Sequence, residues 1–179
     1  MSASREATKA ASGDQASVTV TLAVDPADAF EIFTRDIEMW WRRGPRFRNA
    51  PGDQGFIRIE PGSGGRVFES FGSDAGEKVV EVGRTKVWDP PHRLLFEWRN
   101  SNFAPGERTE VEVRFQPGAS GTRVTVVHRG WSQLRRDHPA RHGLAGPELS
   151  RMIGLWWGDQ MTSLRQHAAA KREDGAVTS

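Results

Sequence analysis

Alternating apolar and polar residues dominate residues 17–130 and predict a protein built mainly from strands. Residues 17–24 alternate valine and leucine with serine and threonine, the period of two expected of a half-buried strand. Breaks rich in glycine and proline then separate six further predicted strands, over 56–60, 66–71, 77–88, 94–99, 107–116 and 122–130. Because no helical pattern lies between these strands, we expect an antiparallel meander.

Two segments have the three- and four-residue spacing of amphipathic helices. The first follows Asp25, a favourable N-cap, with Pro26 at the first helical position, and it is expected to break near Asp36. The second is predicted over 147–170, a length of about 36 Å. Its apolar stripe comprises Leu149, Ile153, Trp156, Gln160, Leu164 and His167, with Met152, Trp157 and Met161 beside it.

The predicted order is a strand, a broken helix, six strands and a long helix. This order indicates an α+β protein in which a seven-stranded antiparallel sheet wraps around the C-terminal helix. A strongly twisted sheet and a straight helix cannot close against each other everywhere, so we expect a cavity between them.

The two ends of the chain lack this patterning. Residues 1–16 and 171–179 are rich in small and charged side chains and are expected to be disordered tails around one domain over 17–170. No apolar run approaches the roughly 18 residues of a membrane span, and the start of the chain has no hydrophobic signal core. We therefore expect a cytoplasmic protein that does not bind membranes.

Composition and motifs exclude several kinds of chemistry. The 179 residues include no cysteine, which rules out disulfides, thiolate nucleophiles and cysteine-ligated metals. The net charge is only +2, and basic and acidic residues alternate, which argues against nucleic-acid binding. The glycine-rich residues 61–65 lack the Lys-Ser/Thr of a phosphate-binding loop and indicate a hairpin turn. His138 and His142 lack a third ligand, so we predict neither a metal nor a cofactor.

The candidate ligand-binding residues are those that the alternation along the strands and the spacing along the helices place against the cavity. They are Trp98, His128, Glu81, Phe96, Val113, Phe115, Val126, Trp156, Gln160 and Trp40. For Trp98 the alternative is plain core packing. For His128 two interpretations remain open, a polar group that anchors a ligand or a hydrogen-bonded core histidine. Glu81 is in phase with Gly83 and Thr85 and is expected to face inward, unless the phase slips by one residue.

Four of the seven tryptophans form two adjacent pairs on the predicted helices, at 40–41 and 156–157. Neighbouring helical residues point about 100° apart, so only one member of each pair can face the core. The other is expected to cap the mouth of the cavity or to remain exposed. This arrangement suits a site that stacks flat apolar molecules. A well-packed core with a rigid roof is the alternative.

Several stretches, in one order, resemble a single family. They are DPADAFEIFTRDIEMWW (25–41), GGRVFE (64–69), GRTKVWDPPHRLLFEW (83–98), TEVEVRFQP (109–117) and GTRVTVVHRGW (121–131). The chain resembles the bacterial branch of the heat-shock-protein 90 ATPase activator homologues. These belong to the SRPBCC, or START-like, helix-grip superfamily that includes the major birch-pollen allergen.

The resemblance covers about residues 18–131 and implies a β-α2-β6-α grip around a hydrophobic pocket. It implies no catalytic residues. The C-terminal part departs from the family pattern, because residues 133–147 form a long loop and Leu155, Trp156 and Trp157 are bulky. Such a helix could fill the pocket.

Three functions follow as hypotheses. The first is binding of a small hydrophobic or aromatic molecule, oriented by His128 and Glu81, in a monomer or homodimer. The second is interaction with a chaperone partner, whose ATPase this protein stimulates through its surface, as do the eukaryotic proteins that give the family its name. The third is a cyclase- or hydrolase-type enzyme with His128 as general base. The sequence offers no paired carboxylates, no nucleophile with a base and no metal set, which argues against the third.

Overall fold

The computed structural model describes residues 14–52, 54–73 and 76–177. They form, in order, β1 (Gln15–Leu22), α1 (Pro26–Arg35), α2 (Ile37–Trp40), β2 (Phe56–Ile59), β3 (Arg66–Ser73), β4 (Gly76–Asp89), β5 (Arg93–Trp98), β6 (Thr109–Gly118), β7 (Gly121–Arg129) and α3 (Gly146–Val177). Neighbouring strands are antiparallel, in the order β1-β7-β6-β5-β4-β3-β2. The predicted helix-grip fold is confirmed.

The broken helix begins and ends as its sequence indicates. The Asp25 side chain accepts the backbone N–H of Asp28 at 2.9 Å and caps α1, with Pro26 in the first turn. The helix ends at Arg35, and Asp36 separates it from α2. The Asp36 carboxylate accepts hydrogen bonds from His167 at 2.9 Å and Lys171 at 2.7 Å, both on α3. The break is therefore the point at which the two helical regions are tied together.

The core fills the concave side of the sheet. The strand phases predicted for β5, β6 and β7 are correct, and the inward side chains are Leu94, Phe96, Trp98, Val111, Val113, Phe115, Val124, Val126 and His128. Helix α3 buries Leu149, Ile153, Trp157, Gln160, Met161, Leu164 and Ala168 against them. Trp156, which belongs to the predicted stripe, is half-buried and packs against this core. Both tryptophans satisfy the helical spacing, but Trp157 follows Ile153 by four residues and is the buried one.

The outer face of the sheet carries charged side chains, but one carboxylate on it, that of Glu112, is buried. Glu112 is covered by arginines from its own strand and its neighbours, with Arg93 at 2.6 Å, Arg114 at 2.7 Å and Arg129 at 3.6 Å. Three cations around one carboxylate offset the loss of its hydration. The outer face is thus a network of ion pairs.

The ends of the domain differ from the prediction. Strand β1 begins at Gln15, two residues before the predicted start, and residues 1–13 of the expected N-terminal tail lie outside the described residues. Helix α3 continues past Ala170 to Val177, because the helix-forming residues that follow extend it and Lys171 pairs with Asp36. Across the described part of the chain, no helix combines the length and apolar character needed to span a membrane.

Candidate functional site

A cavity of about 470 Å³ opens at one end of the sheet. The end of β5, the end of β7 and the N-terminal half of α3 form its floor, and three loops form its walls. Its lining consists of Pro45, Arg46, Phe47, Trp98, Asn100, Asn102, Phe103, His128, Trp131, Ala140, His142, Met152, Ile153 and Trp156. Its volume lies within the range of about 300 to 1,000 Å³ typical of small-molecule sites.

The structure brings three of the predicted site residues together in this lining: Trp98, His128 and Trp156. Five others, Phe96, Val113, Phe115, Val126 and Gln160, are fully buried in the core and do not line the cavity. The middle of the space between sheet and helix is therefore filled by side chains, and the opening is confined to one end. The sequence phases identified the interior face correctly but could not show how much of it remains open.

Glu81 does not face the interior, so that prediction is wrong. Its side chain is exposed on β4 and its carboxylate pairs with Arg84 at 2.7 Å. The reason is a β-bulge, since Val67 pairs with Gly83 while the next residue, Phe68, pairs with Glu81. The extra residue, Val82, is fully buried and shifts the phase of the strand by one.

Trp40 and Trp41 are both buried, which contradicts the expectation that only one could be. Helix α2 ends at Trp40, and Trp41 adopts an extended conformation with φ −65° and ψ 119°. The helical angle of 100° between neighbours therefore does not apply to this pair. Trp40 lies in the core, where its Nε1–H donates to the carbonyls of Ile32 and Phe33, each at 3.2 Å. Trp40 does not line the cavity.

Trp41 lies at the centre of an aromatic cluster beneath the cavity. Its ring centroid is 5.4 Å from that of Trp98, 5.6 Å from Trp156 and 5.7 Å from Trp157. Phe47 extends the cluster into the wall, 5.5 Å from Trp156. Tilted and edge-to-face contacts of this kind hold the rings rigidly, so the cavity floor is preorganised.

Both ring nitrogens of His128 have partners within the protein. Nδ1 accepts the indole N–H of Trp157 at 3.0 Å. Because a neutral imidazole carries one N–H, the other nitrogen, Nε2, donates to the Thr109 hydroxyl at 2.6 Å. That hydroxyl in turn donates to the carbonyl oxygen of Trp98 at 3.2 Å. A continuous chain of hydrogen bonds thus joins α3, β7, β6 and β5 at the cavity floor.

Burial lowers the pKa of His128 to about 3. The imidazole is therefore neutral throughout the physiological range. Neither nitrogen is left to receive a hydrogen bond or a proton from a bound molecule. These contacts support the interpretation of His128 as a hydrogen-bonded core histidine that positions the tryptophans on either side.

Two buried charged residues hold the loop after α2 that forms one wall. The Arg48 guanidinium donates to the carbonyls of Trp41 at 2.8 Å and Arg42 at 3.2 Å. The Glu69 carboxylate accepts the backbone N–H groups of Asn49 at 2.7 Å and Ala50 at 3.0 Å. Burial nevertheless raises the pKa of Glu69. The wall that carries Arg46 and Phe47 is thus fixed from two sides.

The opposite wall is formed by the loops that follow β5 and β7. His138, which is buried, lies with its Nε2 3.0 Å from a Glu107 carboxylate oxygen and its ring 4.5 Å from that of Phe103. Arg141 donates to the carbonyl of Leu134 at 3.0 Å and closes the second loop on itself. These contacts hold Phe103 and Trp131 in place beside the cavity.

The sequence patterns do not identify most of the residues that form the cavity walls. Phe47, Phe103 and Trp131 line the cavity, yet each lies in a loop outside every periodic pattern. A large aromatic residue within a polar, glycine- and proline-rich loop was the available signal, because such a residue is rarely left in solvent without a packing partner.

Neither a metal site nor a nucleotide loop is formed by the residues discussed. Over the described ranges, no three His, Asp or Glu side chains come close enough to share a metal ion. His138 and His142 flank a short 3-10 turn, Pro139–Arg141, and therefore do not share one face of an α-helix. Residues 61–65 form the turn between β2 and β3, as predicted.

Comparisons with known proteins agree with this architecture. A family model described as "Activator of Hsp90 ATPase homolog 1-like protein" matches residues 23–148. No curated protein matches the sequence.

Solved structures with the same fold come from several bacteria. A protein of unknown function from Staphylococcus aureus has a TM-score of 0.62 and 11% identity, over 89% of this chain and 95% of its own. A Rhodobacter sphaeroides protein has a TM-score of 0.61 and 16% identity, over 90% of this chain and 96% of its own. A Nitrosomonas europaea protein has a TM-score of 0.57 and 17% identity, over 89% of this chain and 96% of its own. At these identities the likeness shows the fold alone.

Proposed function

We propose that this chain, which belongs to the family of Activator of Hsp90 ATPase homolog 1-like proteins, binds a small planar hydrophobic molecule in the cavity at the end of the sheet. The fold of this family commonly holds hydrophobic ligands. The ligand lies against the aromatic floor and between the two loop walls. Binding is non-covalent.

One observation carries this proposal: an open volume of about 470 Å³ is surrounded by aromatic side chains from five separate segments. Trp98 comes from β5, Trp156 from α3, and Phe47, Phe103 and Trp131 from three loops. Flat aromatic walls favour a flat aromatic or conjugated ligand, since stacking and apolar burial then act together.

The same geometry argues against the enzyme hypothesis. A general base must reach the proton that it abstracts, and His128 already uses both nitrogens inside the protein. No aspartate or glutamate is among the described lining residues. His128 is therefore not available as the general base that this hypothesis requires.

Titration with naphthalene tests this function. We expect saturable quenching of tryptophan fluorescence at one site per chain, and a Trp98→Phe variant should alter the quenching because this ring borders the ligand. Trp88→Phe is the matched control, since Trp88 contacts Phe30 on the far side of the core, with a centroid distance of 5.1 Å. Equal changes in the two variants, or no saturable binding by the wild-type protein, would contradict the proposal.

A second function is favoured by a separate surface. Met39 and Phe56 are 70% and 54% exposed beside a groove between α2 and β2. The family description names an activator of the Hsp90 ATPase, and a protein partner would cover such apolar side chains.

This second proposal predicts that the protein stimulates the ATPase of a purified Hsp90-type chaperone, and that a Met39→Ser, Phe56→Ser double variant does not. Trp156→Ala serves as the control, because it alters the cavity and leaves the groove intact. Unchanged stimulation by the double variant would refute a role for the groove.

A further inference from the structure

The two edges of the sheet are protected to different extents. The strand order places β1 at one edge and β2 at the other. Strand β2 has only four residues and carries Arg58, and its Ile57 N–H donates to the Glu38 carboxylate at 2.7 Å. A short strand, a charged side chain and a covered edge are the features by which proteins prevent pairing with another chain. The β2 edge is therefore closed to a further strand.

Strand β1 has none of these protective features. It spans eight residues, Gln15–Leu22, in unbroken register with β7, and it contains neither a charged residue nor a proline. Valine and threonine make up most of the strand, and both favour extended structure. A long, regular and uncharged edge is a template on which another strand can pair.

The hydrogen-bond pattern identifies the free backbone groups of this edge. The Gly130 N–H donates to the Asp14 carbonyl at 3.0 Å, and bonded residues alternate along an antiparallel pair. The even-numbered residues of β1 therefore bond to β7, and the odd-numbered ones direct N–H and C=O groups toward the open edge. These odd-numbered residues are Gln15, Ser17, Thr19 and Thr21. All four are exposed, and over the described ranges their backbone groups bond to no other element.

We infer that β1 is a dimer interface, at which it pairs antiparallel with β1 of a second copy of this chain. A two-fold axis at Val18 places Ser17 opposite Thr19 of the second copy and Gln15 opposite Thr21. This register uses every free backbone group of the edge. The two seven-stranded sheets then become one continuous sheet.

The side chains of β1 are complementary to a second copy of the same strand. On the outer face, serine, threonine and glutamine meet one another, and such pairs are favourable and bring no like charges together. On the inner face, Val18 meets Val18 of the second copy. Val18 is only partly buried, whereas the other inward residues of the strand, Ala16, Val20 and Leu22, are buried. Pairing covers the one inward side chain that the monomer leaves partly open.

The asymmetry of the two edges limits the size of the assembly. Among the described strands only β1 offers an open edge, so association through it closes as a two-fold dimer and forms no fibre. The strand contributes eight residues a side, against about 20 to 30 in a standard interface. We therefore expect a reversible equilibrium between monomer and dimer in the micromolar range. This inference is independent of the proposed ligand.

Sedimentation velocity over a micromolar to millimolar range tests the interface, with Thr19→Lys as the variant and Thr125→Lys as its matched control. Both variants lose the hydrogen bond between the Thr19 and Thr125 hydroxyls, which are 3.0 Å apart. Only Thr19→Lys places lysines on the edge, where the two copies repel. We expect it to weaken dimerisation at least about tenfold, and Thr125→Lys, one strand further in, to dimerise like the wild-type protein.

A cysteine placed on the two-fold axis tests the register. The chain has no cysteine, so Val18→Cys introduces a single thiol. Opposed residues of a non-hydrogen-bonded pair have Cβ atoms about 4.5 to 5.5 Å apart, close enough for a disulfide after a small adjustment. Oxidation with diamide should convert Val18→Cys into a covalent dimer. Val127→Cys, on β7 opposite Ser17, is the control and should remain monomeric after the same treatment.

Three results would overturn the inference. The first is a wild-type protein that stays monomeric over the whole concentration range. The second is a dimer that Thr19→Lys and Thr125→Lys weaken equally, and the third is a dimer in which Val18→Cys forms no more disulfide than Val127→Cys. Circular dichroism of each variant confirms that it folds. None of the four substituted residues lines the cavity, so these results leave the proposed ligand binding unaffected.

Discussion

Replacing Trp157 by alanine is expected to lower the free energy of unfolding by about 3 to 5 kcal/mol, the cost of deleting a large buried aromatic side chain. Trp157 is 1% exposed, lies against Trp41 and Trp156, and donates its N–H to His128. The variant therefore creates a cavity and also leaves Nδ1 of His128 without its donor. Denaturant unfolding followed by far-ultraviolet circular dichroism measures the loss without relying on tryptophan emission.

The neighbouring residue gives the matched comparison. Trp156 is only half-buried and its indole N–H donates to the carbonyl of Arg46 at 2.7 Å. Trp156→Ala is expected to cost about 1 to 2 kcal/mol, chiefly through that hydrogen bond and partial burial, and to weaken naphthalene binding strongly. A larger stability loss at 156 than at 157 would show that the assignment of core and cavity faces on α3 is reversed.

The second large effect is a pH dependence that belongs to His128. In the unfolded chain its imidazole binds a proton below about pH 6.5, whereas burial in the folded protein lowers the pKa to about 3. The neutral histidine therefore contributes fully to stability above pH 6.5, and that contribution is lost as the pH falls toward 3. Between pH 7 and pH 5 the loss amounts to about 2 kcal/mol.

His128→Leu isolates this effect from the other titrating groups. At pH 7 the variant should be less stable than the wild-type protein by about 1 to 3 kcal/mol, because Trp157 and Thr109 each lose a partner. At pH 5 the difference should shrink by about 2 kcal/mol, since leucine does not titrate. A difference that stays constant with pH would contradict the lowered pKa of His128, and a variant of unchanged stability whose ligand affinity falls would support the anchor interpretation.

The fold follows closely from local sequence signals. Glycine and proline breaks delimit the strands, Asp25 and Pro26 begin α1, and the alternation in β5, β6 and β7 identifies the inward face. These features depend on residues that are neighbours in the chain. Local patterns therefore suffice for them, and the resemblance to one family points to the same fold.

The candidate site is harder to predict because it depends on exceptions to those patterns. The bulge at Val82 shifts the phase of β4 and turns Glu81 outward. The end of α2 at Trp40 lets Trp41 turn back into the core. Both exceptions are decided by tertiary contacts, which the period of two or of 3.6 residues does not contain.

The loop walls illustrate the same limit. Phe103 and Trp131 reach the cavity because Glu107 and His138 join the two loops, while Arg141 closes the second loop on Leu134. Glu107 and His138 are 31 residues apart in the chain (107 to 138), so no short motif links them. The sequence leaves two interpretations of His128 open for a related reason, since its partner Trp157 lies on another element.

A crystal structure of the protein with naphthalene is the most direct test of the central claim, that the cavity at the end of the sheet holds a planar ligand. We predict one molecule per chain, with its ring among Trp98, Trp156 and Phe47. The claim would be contradicted by a ligand bound only in the groove beside Met39 and Phe56, or by side chains of the aromatic cluster filling the cavity at saturating probe.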